Sequence, residues 1–318
     1  MRVLISLLSF NHSEDTIECL KNIQKLSREN IAFDILLIEN GSIIKEKNIL
    51  LDYVKNDDAY IFLNSKKDFK DLKNLPIKKN IYLDLKKNIG FTGGHNISFD
   101  YIKDTDHYEY LWVLNNDALP EKNSLVNLIS FSEKNKPCIS GSVIMDYENR
   151  DIIQDLGTKS VSNIRGFKAA KLKDSKDGLS ILVHAVCGAS MLVDENIIKK
   201  GIKFDEAFFL YVDENEMGYR CAKLGINSYI VLNSLVFHKG SIVLKKDSAQ
   251  KLYYLVRNLL YLKRKHFSLG SVLFSVFHLG LMTIYKYKFS PQSVKAYSLA
   301  LYDFYKGNMG ESIHSIKD

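Results

Sequence analysis

The sequence predicts an α/β protein in which a mixed, mostly parallel β-sheet is flanked by helices and followed by a helical C-terminal region. The first observation is the apolar run Tyr110–Leu114, which indicates a strand buried on both faces. The second is the alternation of such runs with segments of helical periodicity up to residue 241. The third is the stretch 242–318, where apolar residues at helical spacing are mixed with basic ones. We therefore expect a sheet domain over residues 1–241 and a helical region over residues 242–318.

The composition is that of a folded protein. The 318 residues are 46% hydrophobic, which supports one large domain with or without an appendage. The four cysteines lie far apart and form no C-x-x-C pair, which argues against a zinc ribbon or a disulfide framework. The apolar run at the N-terminus is short and lacks a signal-peptide cleavage site, so we interpret it as a first strand. These features predict a cytoplasmic protein.

The net charge of +7 is concentrated in the C-terminal part. Residues 239–288 contain ten lysines and arginines against one acid, so this segment carries +9 and the rest of the chain −2. A basic face with aromatics suits nucleic acid, but a basic face with apolar helices suits an anionic membrane surface better. We therefore expect no nucleic-acid partner, and a helical region that docks on the membrane. The alternatives are that these helices cover the sheet domain or form a homodimer contact.

The N-terminal part predicts a β-α-β unit. Val3–Leu8 and Phe33–Ile38 indicate strands, and Ile17, Leu20 and Ile23 between them lie at helical spacing. Both strands end in polar residues, which is where an α/β sheet binds its ligands. Two further short strands are predicted at Ala59–Leu63 and Asn80–Leu83.

A glycine-rich stretch, Asn88–Asn96, follows and precedes a helix predicted at Ile97–Lys103. Its glycines would let the backbone approach a ligand closely and expose N–H groups to it. Such turns also precede helices in proteins that bind nothing there, so this stretch alone does not decide between the two interpretations.

The buried strand Tyr110–Leu114 runs directly into Asn115, Asn116 and Asp117. A hard cation held by Asp117 would bridge to phosphate oxygens, as Mg²⁺ or Mn²⁺ does with one or two carboxylates and a substrate. The alternative interpretation is a strand-to-helix turn with a capping aspartate.

The second half of the sheet domain is predicted from shorter runs. The polar stretch Asp146–Ser180 looks like an excursion from the sheet. The strands around it are predicted at Cys138–Met145, Val186–Val193, Ile226–Leu232 and Leu235–His238.

The segment Phe204–Glu216 combines five acids with aromatic residues and leads into a helix. Acids favour helix N-termini because of the helix dipole, which accounts for two of them. The neighbouring Phe208, Phe209 and Tyr211 would raise a carboxylate pKa towards that of a working base. The segment is therefore a candidate for a catalytic carboxylate.

The order of these stretches resembles that of the inverting family 2 glycosyltransferases of the GT-A fold, in particular their bacterial rhamnosyltransferase-like branch. The resemblance spans residues 1–262 and rests on the common order of short motifs. The matching pieces are Ser9–Asn11, Glu39–Ser42, Asn88–Asn96, Leu114–Asp117, Gly188–Leu192, Phe204–Glu216, Phe237–Ser241 and Tyr253–Asn258. The resemblance implies a GT-A-type, Rossmann-like sheet.

The resemblance also implies how a nucleotide sugar is bound. Phe10 would stack on a pyrimidine base, and Asn40, with Glu39 beside it, would contact the base or the ribose. The donor would be a UDP- or dTDP-sugar. The remaining residues that we assign to donor binding are Asn11, Gly93, Gly94, Asn96, Asn115 and Asn116.

The same resemblance implies a divalent metal and a catalytic base. Asp117 would be the metal ligand of the Asp-x-Asp position, whose first acid is here Asn115, and His238 would be a further ligand to Mg²⁺, Mn²⁺ or the diphosphate. The family's base lies in a Glu-Asp pair, which this chain reverses as Asp213-Glu214. Glu214 takes the base's place by position, and Asp213 stays a candidate.

The resemblance predicts the transfer of rhamnose or another hexose to a hydroxyl of a saccharide or lipid-linked acceptor in bacterial surface glycan synthesis. One carboxylate base suits this chemistry, because a single displacement inverts the anomeric carbon and needs no nucleophile from the protein. Two alternatives remain open. One is a nucleotidyltransferase, although Ser9–Ser13 has neither the glycine nor the lysine of its N-terminal loop. The other is a sugar-nucleotide-binding protein that has lost its base.

Overall fold

The computed structural model describes residues 1–64, 79–162, 166–240, 248–287, 290–314 and 316. Strands and helices alternate along the first part of the chain, and helices alone follow from Ala249. The strands are β1 (Arg2–Ser9), β2 (Ala32–Asn40), β3 (Tyr60–Leu63), β4 (Asn80–Leu85), β5 (Tyr110–Asn115), β6 (Ala118–Pro120), β7 (Cys138–Asp146), β8 (Ile153–Asp155), β9 (Thr158–Ser162), β10 (Gly166–Ala169), β11 (Ser180–Val183), β12 (Ser190–Asp194) and β13 (Asn227–His238). The helices are α1 (Ser13–Ile23), α2 (Ile44–Val54), α3 (Gly90–Asp104), α4 (Ser124–Asn135), α5 (Glu195–Lys199), α6 (Asp213–Lys223), α7 (Ala249–His266), α8 (Leu269–Tyr287) and α9 (Pro291–Lys306).

One large sheet has the strand order β11-β13-β7-β12-β5-β1-β2-β4-β3. The block from β5 to β3 is parallel throughout, and β7 and β13 are parallel to each other. Only β12 and β11 run antiparallel to their neighbours along this path. The predicted mixed, mostly parallel sheet is therefore confirmed. The order reverses beside β1, because β2 lies on one side of it and β5 on the other, and such a reversal opens a crevice for ligands.

Apolar side chains cover both faces of this sheet. In β5, Leu111 and Val113 belong to the core on one face, and Trp112 and Leu114 belong to the core on the other. Helices α1, α2 and α4 cover the second face, whereas α3, α5 and α6 cover the first. The strand predicted at Tyr110–Leu114 is thus buried on both faces, as its composition requires.

Three predicted boundaries are wrong. The helix predicted at Ile97–Lys103 begins at Gly90, and the strand predicted at Val186–Val193 begins only at Ser190. The two predicted last strands are one strand, β13, whose pairing shifts register between Val231 and Leu235. Glycine and small polar residues have little intrinsic preference for helix or strand. Packing against distant segments therefore decides where these elements begin and end.

The polar stretch Asp146–Ser180 is only partly an excursion from the sheet. Within it, β9 and β10 form a separate two-stranded sheet, which agrees with the prediction. However, β8 pairs antiparallel with β7 and so belongs to the main sheet. This short strand brings Gln154 and Asp155 to the crevice described below.

The predicted C-terminal helices are present as α7, α8 and α9, which share an apolar core of their own. The boundary predicted at residue 241 falls outside the described residues. Helix α7 also packs on the sheet domain, where Phe209 stacks on Tyr254 with ring centres 5.8 Å apart. The side chain of Asn258 donates to the carbonyls of Leu210 and Tyr211, at 2.8 and 3.0 Å.

Candidate active site

A cavity of about 510 Å³ opens at the carboxyl ends of β1, β2 and β5. It therefore lies where the strand order reverses, which is the expected ligand position in an open α/β sheet. The predicted site residues that line it are Phe10, Asn40, Asn115, Asn116, Asp117, Asp213, Glu214 and His238. The predicted site residues that the structure brings together thus come from positions that are far apart in the chain.

Asp117 and His238 face each other on one side of this cavity. β13 pairs with β6, which sets His238 opposite Ala118 and next to Asp117. His238 Nε2 lies 3.2 Å from Asp117 Oδ1, and Nδ1 lies 2.7 Å from Gln154 Oε1. We assign Nδ1 as the donor to Gln154, so in the neutral ring the lone pair of Nε2 points at the carboxylate.

This pair fits a divalent cation. In that tautomer Nε2 accepts from the side-chain amide of Asn115 over 3.3 Å. A cation bound between Nε2 and Asp117 Oδ1 would replace this contact and offset the charge of the carboxylate. The described residues contain no group of three or more His, Cys, Asp or Glu side chains placed to hold a metal. Two protein ligands and the oxygens of a bound phosphate are a usual coordination set for Mg²⁺.

Asp213 and Glu214 line the same cavity, at the N-terminus of α6. Tyr211 and Val212 just before them both have a φ of 69°, and this left-handed turn directs the helix start into the cavity. Burial, followed by the charge of Glu214, raises the pKa of Asp213 well above its ordinary value. Burial also raises the pKa of Glu214. Both carboxyl groups therefore bind a proton more readily than they would in water.

Gly188 positions Glu214. Its N–H donates to Glu214 Oε1 over 3.1 Å, from the loop that precedes β12. A Cβ at this position would lie 2.9 Å from Glu214 Oε1 and 2.8 Å from Phe91 Cζ. Only glycine lets the loop approach so closely.

Gln154 and Asp155 are site residues that the sequence analysis missed. Asp155 lines the same cavity, and desolvation raises its pKa. Its charge in turn contributes to raising the pKa of Glu214. Their only sequence signal is a short apolar-polar alternation within a polar stretch, and their place follows from the pairing of β8 with β7.

Asn40 lines the cavity, but its amide is already bonded to protein. Its Nδ2 donates to Asn88 Oδ1 over 3.0 Å, and its Oδ1 accepts from the N–H of Ile89 over 3.0 Å. The amide thereby fixes the loop that begins α3, where Gly90 has a φ of 79°. Asn40 shapes this wall as much as it offers polar atoms to a ligand.

The other predicted donor-binding residues do not line the cavity. Glu39 accepts from the N–H groups of Gly41 and Ser42, and Asn11 Oδ1 accepts from that of Ile43. Asn96 bonds both backbone groups of Phe204. Gly93 and Gly94 lie inside α3, where a Cβ on Gly94 would meet Leu8 at 2.4 Å. These residues hold the loops and the helix that surround the cavity.

The comparisons with known proteins agree with this architecture. No family model matches the sequence. Over 146 residues the chain is 25% identical to the low-salt glycan biosynthesis hexosyltransferase Agl10 of Haloferax volcanii, a match that covers 46% of this chain and 47% of Agl10. The chain therefore spans about half the length of this curated relative.

Three solved structures share the fold. GalNAc-T7 with UDP, GalNAc and Mn²⁺ gives a TM-score of 0.61 at 12% identity, over 82% of this chain and 47% of its own. Residues 1–349 of TarS from S. aureus give a TM-score of 0.54 at 13% identity, and the match covers 96% of this chain and 80% of the TarS chain. The mannosyltransferase PcManGT of Pyrobaculum calidifontis, with GDP-Man and Mn²⁺, gives a TM-score of 0.53 at 12% identity. This match covers 98% of this chain and 76% of the PcManGT chain. The chain has the GT-A fold of these glycosyltransferases.

Proposed function

We propose that this chain is a metal-dependent, inverting hexosyltransferase of glycan synthesis, related to the rhamnosyltransferase-like branch of family 2. The observation that supports the proposal is that Asp117, His238 and Glu214 line one cavity. The name of the Haloferax relative and the nucleotides and Mn²⁺ bound to GalNAc-T7 and PcManGT support it. The donor we propose is a UDP- or dTDP-sugar that carries rhamnose or another hexose.

Asp117 and His238 would hold Mg²⁺ or Mn²⁺. When bound, the cation supplies positive charge where the leaving diphosphate becomes more negative. Phe10 offers a ring to the base of the nucleotide, and Asn115 and Asn116 offer amides on the side of Asp117. The protein's own contribution at this wall is to fix the donor, since the ring and the amides stand on the ends of buried strands.

Glu214 would be the catalytic base. The acceptor oxygen forms its bond to the anomeric carbon while the bond to the diphosphate breaks, and the diphosphate leaves with the electron pair. Glu214 takes the proton of the acceptor hydroxyl, so atoms and charge balance in one inverting step. The N–H of Gly188 donates to Glu214 Oε1, and this hydrogen bond favours the ionised form that a base needs.

We propose that the acceptor is a saccharide or lipid-linked hydroxyl and that the reaction takes place in the cytoplasm, at the inner face of the membrane. The alternative of a binding protein without activity requires that no carboxylate serve the acceptor side. Glu214 lines the cavity and would serve the acceptor, which supports the enzyme. No described feature favours a nucleotidyltransferase.

A screen of nucleotide sugars for hydrolysis and transfer tests the proposal. We expect Glu214→Gln to lower turnover by roughly 100-fold to 10,000-fold, the usual contribution of a general base, with nucleotide affinity unchanged. Asp213→Asn is the matched control and should retain most of the turnover. If Glu214→Gln is fully active and Asp213→Asn is inactive, the base is Asp213. If both variants are fully active, the mechanism is wrong.

A further inference from the structure

Helix α8 exposes most of its large apolar side chains to solvent, whereas the side that packs on the protein combines Ser and Thr with Val272, Val276 and Leu279. Ser271, Ser275 and Thr283 are buried. In contrast, Phe277 is 66% exposed and Tyr285 is 84% exposed. The large apolar side chains of α8 that are exposed are Leu269, Leu273, Phe274, Phe277, Leu281, Met282, Ile284 and Tyr285.

Six of these side chains form one continuous face, which we call the apolar face of α8: Leu273, Phe274, Phe277, Leu281, Ile284 and Tyr285. At 3.6 residues per turn they span about 120° of the helix. A stripe of about 100° or more is what a helix normally turns towards a protein core. In the described part of the chain this stripe faces solvent instead.

The contacts on the opposite side keep this face outward. Tyr297 of α9 donates through its hydroxyl to the carbonyl of Val276 over 2.5 Å. A Cβ on Gly280 would lie 3.2 Å from the same hydroxyl, so α9 approaches α8 closely at a glycine. Rotating the apolar face inward would replace these contacts by bulky side chains, which do not fit there.

The exposed charges of the helical region have one sign. Residues 249–306 contain nine lysines and arginines and one acid, Asp303, which is buried. Two of the cations, Arg257 and Lys263, are buried as well, whereas Lys286 and Lys295, on α8 and α9, are exposed. An apolar face on a region whose exposed charges are cationic matches a surface that is apolar inside and anionic outside.

We propose that the apolar face of α8 inserts in plane into the interfacial region of an anionic lipid bilayer. A second copy of the chain fits less well, because a symmetric contact would bring two cationic surroundings together. Of the described helices, α8 alone is long and apolar enough to cross a bilayer. However, the buried Ser and Thr side of α8 stays on its neighbours, which favours lying on the membrane over spanning it. The inference does not depend on transferase activity.

Flotation of the full chain with vesicles, without donor or metal, tests the inference. We expect binding to phosphatidylcholine vesicles that contain phosphatidylglycerol, little binding to phosphatidylcholine alone, and release by high salt. The triple variant Leu273→Gln, Phe277→Gln, Leu281→Gln should bind at least tenfold more weakly. The matched control Ile44→Gln, Leu182→Gln, Leu224→Gln changes three exposed apolar residues elsewhere and should bind like the wild type.

A second variant keeps the test independent of the apolar substitutions. Lys286→Gln with Lys295→Gln should weaken binding by about fivefold per lysine, as expected for basic residues at an anionic surface. Equal binding to both vesicle types, or no binding to either, would overturn the inference. So would a concentration-dependent dimer that the triple variant abolishes, or membrane binding that only detergent reverses.

Discussion

Gly188 donates its backbone N–H to Oε1 of Glu214 over 3.1 Å, and this contact fixes the position of the proposed base. Gly188→Ala would place a methyl group 2.9 Å from that oxygen and 2.8 Å from Phe91. We expect a loss of turnover of roughly 100-fold, the cost of moving a catalytic group by about 1 Å, with little change in nucleotide affinity.

Steady-state kinetics together with calorimetry check this prediction. Gly270→Ala is the matched control, because a Cβ there meets only Ser268 Oγ, at 3.9 Å. If Gly188→Ala turns over as fast as Gly270→Ala, the hydrogen bond from Gly188 does not position Glu214.

Asp117→Ala should abolish the metal dependence of nucleotide binding. Its carboxylate is one of the two proposed protein ligands, and the remaining His238 cannot hold a hard cation alone. We expect UDP or dTDP to bind wild type at least tenfold more tightly with Mn²⁺ or Mg²⁺ than with a chelator, and the variant to show no such difference.

Calorimetry with and without metal makes this measurement. Asp100→Ala, which removes an exposed carboxylate paired with Lys203, serves as the control. Equal wild-type affinity in metal and in chelator would remove Asp117 from the metal site.

Asp213→Asn should stabilise the fold more at high pH than at low pH. Burial raises the pKa of Asp213 in the folded state. A carboxyl with a raised folded pKa favours folding below its unfolded pKa, and this contribution is lost as the pH rises through the folded pKa. The asparagine in Asp213→Asn does not ionise, so the variant does not lose this stability as the pH rises.

Thermal melts of both proteins between about pH 5 and about pH 8 report the difference directly. The Tm of Asp213→Asn should rise relative to wild type along this series, whereas the exposed control Asp100→Asn should shift equally at every pH. A Tm difference for Asp213→Asn that shrinks as the pH rises contradicts a buried, protonated Asp213.

Asn258→Ala should remove the support that α7 gives to the turn at the active site. The buried amide donates to the carbonyls of Leu210 and Tyr211, directly before Asp213. Two partly buried acceptors would lose their donor, at a cost of about 1–3 kcal/mol in the free energy of unfolding. Turnover should fall as well, because the turn that directs α6 into the cavity loses its support.

Urea unfolding and kinetics check this effect against Asn127→Ala. The exposed amide of Asn127 also donates to a backbone carbonyl, that of Asn233, over 2.6 Å. If the two variants lose the same stability and keep the same turnover, α7 does not support the site.

Local pattern was enough to predict the sheet class and much of the cavity wall. Apolar runs and helical spacing place strands and helices because the period of burial is a property of neighbouring residues. Asp117 at the end of β5 and the acids at the start of α6 could therefore be predicted as site residues. The resemblance in motif order added their proposed roles.

The roles of the polar and glycine residues that the sequence predicts to bind the donor depend on tertiary structure. Gly93, Gly94, Glu39 and Asn96 were predicted to bind the donor, but their described contacts are with protein. The same residue types serve ligands and loops, since both uses need backbone access or an amide hydrogen bond. The residue types at a strand end therefore do not distinguish a ligand-binding residue from one that stabilises a loop.

Contacts across long sequence separations were decided by the tertiary structure alone. Gln154 reaches His238, and Gly188 reaches Glu214, only because strand pairing and loop packing bring them together. Helix α8 shows the same division: its sequence predicts an apolar helix, whereas only its packing on α9 determines that the apolar face points outward. Periodicity sets which residues share a face, and the packing of neighbouring elements determines what that face meets.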